Sequence, residues 1–236
     1  MHDGYQGSID FQVICVPKSE KSLEECEDVY GSLGFRFAIS DGATEYIGSQ
    51  LWARTLITSF LHGFDPFDAH VWEFNSRQWE IACKSLYSSS SWFGGEKIKK
   101  GSAATFLGIV FNDNLNFRAV AIGDSCAFHF REGKLINSWP MTDPGEFNSN
   151  PTLLFTNHTP ARPLVWQGSC LKNDSVVIAT DALSKWMMEL NATGDNPLAI
   201  LKEGSKDGMN QFIYDLRKSG KPKLDDDDVL AVLIQL

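Results

Sequence analysis

The chain has 236 residues, a formal net charge of −9 and a sequence pI of about 5.0. A surface of that sign repels polyanions, so we expect neither a nucleic-acid partner nor an anionic membrane partner. Hydrophobic residues make up 43% of the chain, enough for a sizeable core, yet no apolar run reaches the length of a membrane span. The start of the chain has no signal-peptide pattern, and we expect a cytoplasmic protein.

Cysteine and histidine usage favours neither a disulfide framework nor a zinc site. The five cysteines are widely spaced without a C-x-x-C motif, which is typical of reduced, buried thiols in a cytosolic protein. No histidines have H-x-x-x-H spacing, and no cysteine has a neighbouring histidine that would suggest a nucleophile. Two helical patterns and many short strand-like runs, without a linker or repeat, predict one α+β domain over residues 1–236.

The first clear strand pattern alternates apolar with polar or small residues from Phe35 to Ser40 and stops at Asp41-Gly42. This junction has two interpretations: Asp41 caps a turn, or the strand delivers a metal ligand into a site. A helical pattern follows, interrupted by Arg54. Its apolar face is formed by Ile47, Leu51, Ile57 and Leu61.

A second helical pattern is predicted over Phe67–Leu86, with Asp65 as the cap and Pro66 at the first helical position. We expect this helix to cover the core with one apolar face. That face consists of Phe67, Val71, Phe74, Ile81 and Ala82. Residues 85–95 are predicted to form one loop, and the small basic segment Glu96–Ser102 a solvated loop.

The remaining strand patterns also meet acidic residues. A buried strand over Thr105–Phe111 and a return strand over Phe117–Ser125 form a predicted hairpin that runs into Gly123-Asp124. A third run, Ser175–Leu183, contains Asp181 near its end. The last strand, Val229–Leu236, follows four consecutive aspartates, Asp225–Asp228.

Three strands therefore end in an aspartate, and a fourth strand begins after a run of aspartates. In antiparallel pairing the end of one strand lies beside the start of its neighbour, so these carboxylates can meet at one edge of the sheets. Gathered carboxylates repel each other unless a cation binds them, and oxygen-only ligands favour Mg²⁺ or Mn²⁺. A turn or cap role remains the alternative for each aspartate taken alone.

Six segments, in this order, resemble the motifs of the PPM family, the metal-dependent protein phosphatases of the 2C type. The S-D-G-A-T-E form of the second motif is close to a bacterial subgroup of that family. The segments are ECEDVY (Glu25–Tyr30), FAISDGATE (Phe37–Glu45), GSAATFLGIVF (Gly101–Phe111), AIGDSCAFHF (Ala121–Phe130), VIATDALSKW (Val177–Trp186) and DDDDVLAVLI (Asp225–Ile234).

The resemblance implies a four-layer αββα sandwich, with two antiparallel sheets packed face to face between helices. It also implies a centre of two Mn²⁺ or Mg²⁺ ions at one end of the sandwich. In that centre Asp41 matches the acid that bridges both ions, and Gly42 offers a backbone carbonyl. Asp181 and Asp227 match the other ligands of the first ion, with Asp226 as the alternative to Asp227.

Two further acids complete the implied site. Asp28 matches an acid that holds metal-bound water, with Glu27 beside it. Asp124, together with Asp181, matches a pair that holds a loosely bound third ion. Metal-activated water would attack the phosphoryl group in line, so no side-chain nucleophile is required.

The implied activity is that of a Ser/Thr phosphoprotein phosphatase acting opposite a cognate kinase in a signalling system. Two alternatives stay open: a catalytically weak, phosphatase-like binding or regulatory module, and a metal-dependent hydrolase of small phosphate esters. Residues 139–157 would be the variable segment near the cleft that helps to select the substrate.

The chain also departs from the family pattern. The arginine that usually binds the phosphate corresponds to Leu23. Lys21 and Lys18 are the nearby stand-ins, although they lack a bidentate fork. Ala182 replaces the glycine of S-D-G, and Cys126 replaces the arginine of G-D-S-R. Leu23 is the feature that favours a weak enzyme or a binding module.

Overall fold

The computed structural model of the chain describes residues 9–87, 92–148, 150–204 and 208–236. Its strands are β1 (Asp10–Val16), β2 (Asp28–Leu33), β3 (Arg36–Asp41), β4 (Ala103–Ala104), β5 (Phe106–Phe111), β6 (Asn116–Ile122), β7 (Cys126–Arg131), β8 (Lys134–Trp139), β9 (Leu154–Phe155), β10 (Leu164–Ser169), β11 (Ser175–Ala179) and β12 (Val229–Gln235). Its α-helices are α1 (Ser49–Leu61), α2 (Ala69–Tyr87), α3 (Trp92–Lys100), α4 (Asp181–Ala192), α5 (Pro197–Gly204) and α6 (Met209–Ser219). Short 3₁₀ turns cover Leu23–Glu25 and Pro144–Glu146.

The strands form two five-stranded antiparallel sheets and a two-stranded ribbon. The first sheet has the order β1-β12-β11-β7-β8, and the second has the order β10-β6-β5-β3-β2. The ribbon pairs β4 with β9, which ties residues 154–155 to the segment just before β5. None of the helices in the described ranges is long and apolar enough to cross a membrane.

Three apolar layers hold the sheets and helices together. Ile39 and Val232 lie in the layer between the two sheets, and both are fully buried. Trp186 of α4 packs with α5 and α6 against the outside of the first sheet, while Trp52 and Leu56 of α1 pack against the second. Burial of each such side chain contributes about 1.5–3 kcal/mol. The predicted αββα sandwich is therefore confirmed.

The predicted strands are present, with two corrections at their ends. The strand that begins at Ser175 ends at Ala179, and Asp181 already belongs to α4. The return strand of the hairpin ends at Ile122, before Gly123 turns the chain with φ of +104°. A side chain at Gly123 would approach the Thr105 side chain to 2.6 Å, so only glycine fits this turn.

Helix α1 begins at Ser49 rather than soon after Gly42, and residues 43–48 form turns. Of the predicted apolar face, Ile57 is buried and the other members are half-buried. Arg54 does not interrupt the packed face because it points to solvent. Trp52, Leu56 and Phe60 complete that face instead.

The apolar face predicted for the second helix is partly wrong. Phe67, just before α2, does pack against the Phe106 ring, but the side that α2 buries most deeply is a different one. Helix α2 buries Asn75, Trp79 and Cys83, whereas Phe74 and Ile81 are more than 60% exposed. The Trp79 ring also donates its N–H to the Gly48 carbonyl, which fixes that side of the helix against α1. The cap is wrong as well, because the Asp68 carboxylate accepts the first free N–H groups of α2.

The segment predicted as a solvated basic loop is the second half of α3. Residues 92–100 are helical and Ile98 is buried, because its side chain packs with the layer on α1. The predicted loop over residues 85–95 therefore consists partly of helix, and residues 88–91 lie outside the described ranges.

Candidate metal centre

Two carboxylates are brought together by the pairing of β2 with β3. Asp28, the first residue of β2, lies directly opposite Asp41, the last residue of β3. Directly paired residues project to the same face of an antiparallel sheet, with their Cβ atoms about 4.5–5.5 Å apart. The register alone therefore places these two acids side by side at one end of the second sheet.

The first sheet contributes its acids at the same end. Ala179, the last residue of β11, pairs with Cys126 at the start of β7 and with Ala231 near the start of β12. Asp181 follows this strand end, and Asp124 precedes β7. Both lie close enough to Asp41 to influence its ionisation, as does Asp227 just before β12. The edge predicted from antiparallel pairing is where these acids meet.

Burial and mutual repulsion make ionisation of the central pair costly. Burial, and then the negative charge of Asp41, raise the pKa of Asp28 well above its usual value. Burial likewise raises the pKa of Asp41, followed by the charges of Asp181, Asp124 and Asp227. Two adjacent carboxylates in such surroundings need a cation if both are to be ionised near neutral pH.

The two acids of the first sheet behave in the same way. Burial, and then the charge of Asp181, raise the pKa of Asp124 to about 7. Burial raises the pKa of Asp181 to about 6, although the Ala182 N–H donates to its Oδ1 atom at 2.7 Å and lowers that pKa. The position of Asp181 in the first turn of α4 also favours its negative charge.

Thr180 is a site residue that the sequence analysis did not single out. Its hydroxyl donates to Asp28 Oδ2 at 2.8 Å, across 152 positions of sequence, and accepts from the Leu230 N–H at 3.1 Å. This fully buried threonine therefore joins the acid of β2 to the starts of α4 and β12. The sequence feature that could have identified Thr180 as a site residue is its position immediately before Asp181.

Gly42 is required by close packing. A Cβ atom there would lie 2.8 Å from the Ser49 carbonyl carbon, at the start of α1. Gly42 also donates its N–H to the Glu27 carbonyl, which holds the β2 and β3 ends together beyond their last pair. Glycine therefore allows α1 to begin against the acidic cluster.

The structure separates the consecutive aspartates before β12. Asp226 accepts a hydrogen bond from the Ser19 N–H at 2.9 Å and lies 3.6 Å from Arg217 Nε. Asp227 instead lies near Asp41 and Asp181, so it belongs to the cluster. Asp228 is buried and accepts from the Lys18 and Glu27 N–H groups at 2.8 and 3.0 Å, which fixes the chain just before Asp28.

The other predicted site residues border the cluster. Glu27 Oε1 accepts from the Ser49 hydroxyl at 2.7 Å, and its Oε2 lies 3.6 Å from Lys21 Nζ. Lys21 is therefore placed next to the acidic end of β2, in an ion pair rather than free in solution. Leu23 lies on the 3₁₀ turn and is 60% exposed. Its side chain offers no hydrogen-bond donor to a phosphate.

A different group of possible ligands, His129, Cys170 and Asp174, lies at the opposite end of β11. Their ligand atoms lie within 4.8 Å of one another. The carboxylate of Asp174 is already saturated, because it accepts from Arg131, from His129 and from the Leu171 N–H. Burial raises the pKa of Asp174, but these hydrogen bonds lower it to about 2. This group is a structural ion-pair network.

The donor set at the acidic end suits a hard divalent cation. The side chains that influence Asp41 are all aspartates, so they offer carboxylate oxygens and neither sulfur nor imidazole nitrogen. The raised pKa values of Asp28, Asp41, Asp124 and Asp181 reflect a charge that the described side chains leave uncompensated. Binding of divalent ions would remove that repulsion.

No protein-family profile matches the chain, and no curated relative matches its sequence. Solved structures do resemble it. The Mycobacterium tuberculosis serine/threonine phosphatase PstP/Ppp aligns over 98% of this chain and 99% of its own, with a TM-score of 0.60 and 16% identity. The PstP catalytic domain in complex with two manganese ions covers 97% and 98%, with a TM-score of 0.60 and 15% identity. The PPM Ser-Thr phosphatase MsPP from Mycobacterium smegmatis covers 98% and 100%, with a TM-score of 0.57 and 15% identity.

These comparisons define the architecture. The chain has the two-sheet, helix-flanked fold of the PPM Ser/Thr phosphatases, aligned over nearly its whole length.

Proposed function

We propose that the chain is a metal-dependent Ser/Thr phosphoprotein phosphatase, a phosphoric monoester hydrolase, with one catalytic domain over residues 1–236. The observation that carries this proposal is the group of carboxylates that meets at one end of both sheets. Burial and mutual repulsion raise the pKa values of four of them. The shared fold with Ser/Thr phosphatases, one of them solved with two manganese ions, supports it.

The acidic residues would hold two Mn²⁺ or Mg²⁺ ions and, more weakly, a third. Asp41 would bridge both ions, with the Gly42 carbonyl on one of them. Asp181 and Asp227 would complete the first ion, and Asp124 with Asp181 would hold a third, weakly bound ion. When bound, such ions activate water and neutralise charge on the phosphoryl oxygens.

Other side chains of the protein would orient the reacting groups. The Thr180 hydroxyl donates to one oxygen of Asp28 and so holds its carboxyl group beside Asp41, where it would orient a water for attack on phosphorus. Glu27 is fixed by Ser49 and supports the same edge of the site. Lys21 would bind the phosphate weakly, as a point charge near Glu27.

The proposed activity implies a class of substrate and a cellular location. The substrate would be a protein phosphorylated on serine or threonine by a cognate kinase, in the cytoplasm. Within residues 139–157, Phe147 and Asn148 supply part of the wall beside the centre, since they line a cavity together with Asp181. This segment would contribute to the choice of substrate.

The test is release of phosphate from a phosphothreonine peptide. We expect activity with Mn²⁺ or Mg²⁺, loss of activity in excess EDTA, and recovery when the metal is added back. Asp68→Asn is the matched control, because Asp68 is an exposed helix cap and asparagine caps equally well. Full activity in EDTA would overturn the metal-dependent mechanism.

The same assay separates the two alternatives. Leu23 favours a weak, phosphatase-like binding module, which would bind the phosphopeptide without releasing phosphate. A hydrolase of small phosphate esters would cleave p-nitrophenyl phosphate with Mn²⁺ and leave phosphopeptides intact. Efficient cleavage of the phosphopeptide excludes both.

A further inference from the structure

A cavity of about 250 Å³ opens beside the acidic cluster. Asp181 and Asp227 of the cluster form one side, and Phe147 and Asn148 of the segment before β9 form another. A ligand in this cavity would therefore contact both the proposed metal centre and the segment expected to select substrates.

Among the described residues that line this cavity, Lys185 has the only cationic side chain. It lies four residues after Asp181 on α4, so both side chains project from the same face of the helix. A single turn of helix thus presents one acid of the proposed metal centre and one ammonium group to the same space.

The ammonium group is held by a partner that it can release. Lys185 Nζ lies 2.7 Å from Asp225 Oδ2, and the Asp225 side chain is 61% exposed. Exposed ion pairs of this kind contribute little to stability, because water solvates both charges well. An incoming anion can therefore replace Asp225 at low cost.

The other cations near the centre are less suited to that role. Arg217 is buried and donates to the backbone carbonyls of Val16, Pro17 and Asp227, so its guanidinium holds the loop in place. Lys21 is paired with Glu27, whose side chain is 19% exposed, so this pair is less readily exchanged than that of Lys185 with Asp225. Neither residue lines the cavity.

We propose that Lys185 exchanges Asp225 for the phosphate group of the substrate, and that the cavity between α4 and Phe147 receives the phosphorylated side chain. This inference rests on the proposed phosphatase function. A phosphomonoester dianion forms stronger charge-assisted hydrogen bonds than a solvated carboxylate, and a lysine suits it as a point charge. Lys185 thereby supplies a phosphate contact where Leu23 has none.

The first experiment compares Lys185→Ala and Lys185→Arg with the control Lys223→Ala, an exposed lysine outside the cavity. Two quantities are measured with Mn²⁺: KM for a phosphothreonine peptide, and the Kd of inorganic phosphate by calorimetry. Lys185→Ala should raise both by about tenfold, the loss expected for one charge-assisted hydrogen bond. Lys185→Arg should restore most of the affinity, and kcat should change much less than KM.

A double-mutant cycle with Asp225→Asn tests the exchange itself. Asp225→Asn should tighten phosphate binding when Lys185 is present and change it little in the Lys185→Ala background. An equal gain in both backgrounds would show a general effect of charge and overturn the exchange. A matching loss of Mn²⁺ affinity in Lys185→Ala would overturn the phosphate contact, because the effect would then act through the metal.

The outcomes separate this inference from the proposed function. An active wild type whose KM and phosphate Kd are unchanged by Lys185→Ala refutes the role of Lys185 alone. A wild type without metal-dependent phosphate release refutes the phosphatase function. Phosphate calorimetry still decides whether Lys185 binds the anion in that case.

Discussion

Replacing Asp181 by asparagine should stabilise the metal-free protein. Burial raises the pKa of Asp181 from 3.8 to about 6, despite the hydrogen bond from Ala182. Keeping this carboxyl ionised in the folded state at pH 8 therefore costs up to about 3 kcal/mol. Asparagine has the same shape, keeps an oxygen acceptor for the Ala182 N–H and carries no charge.

The pH dependence has a defined sign. Between about pH 4 and pH 6 the folded wild type binds a proton that the unfolded chain has lost, so its free energy of unfolding falls as the pH rises. The advantage of Asp181→Asn should therefore be largest at pH 8 and shrink below about 1 kcal/mol at pH 4. Urea unfolding in EDTA at several pH values measures this difference.

Manganese should reverse the order of stability, so that the wild type becomes more stable than Asp181→Asn. A ligand that binds only the folded state stabilises it according to its concentration and Kd, so the wild type gains more than a variant that has lost one ligand. Asp68→Asn, with its exposed cap, should show neither effect. A destabilised Asp181→Asn in EDTA at pH 8 would refute the reasoning, because Asp181 would then be a structural residue at the start of α4.

Three further predictions test other parts of the molecule. Asp41→Asn should abolish Mn²⁺-dependent phosphate release without destabilising the metal-free fold; a variant that keeps its rate and loses at most about 1 kcal/mol in urea unfolding would mark Asp41 as a turn cap. Leu23→Arg should lower KM for a phosphopeptide by about tenfold, and Lys21→Ala should raise it; if steady-state kinetics show both to be silent, the alignment of the first acidic motif is wrong. Asp174→Asn should cost about 2 kcal/mol at pH 7, because the folded pKa of Asp174 is about 2 and its contribution is present above the unfolded value near 4 and lost as the pH falls through 2. Thermal unfolding across pH 2–7 checks this, and a flat difference between the two proteins would contradict it.

The strand patterns of the sequence predicted the edge at which acids gather, and the two-sheet fold was implied by the resemblance to the PPM family. The apolar residues Phe37 and Ile39 alternate with smaller or polar residues and are followed by Asp41-Gly42. This is a local signal, because the two-residue periodicity of a strand can be read from its own sequence. Antiparallel pairing then places the end of one strand beside the start of the next, whatever the order of the sheet. The position of Asp41 beside the other acids could therefore be derived from short stretches of chain.

The tertiary structure alone decided which neighbours each residue has. The apolar pattern of α2 predicted an inward Phe74, but Trp79 packs against Gly48 on another side of the helix, and that contact depends on where α1 lies. The hydrogen bond from Thr180 to Asp28 and the ion pair of Lys185 with Asp225 join positions 152 and 40 residues apart. Local periodicity carries no information about such pairs, because they depend on how distant segments pack against each other.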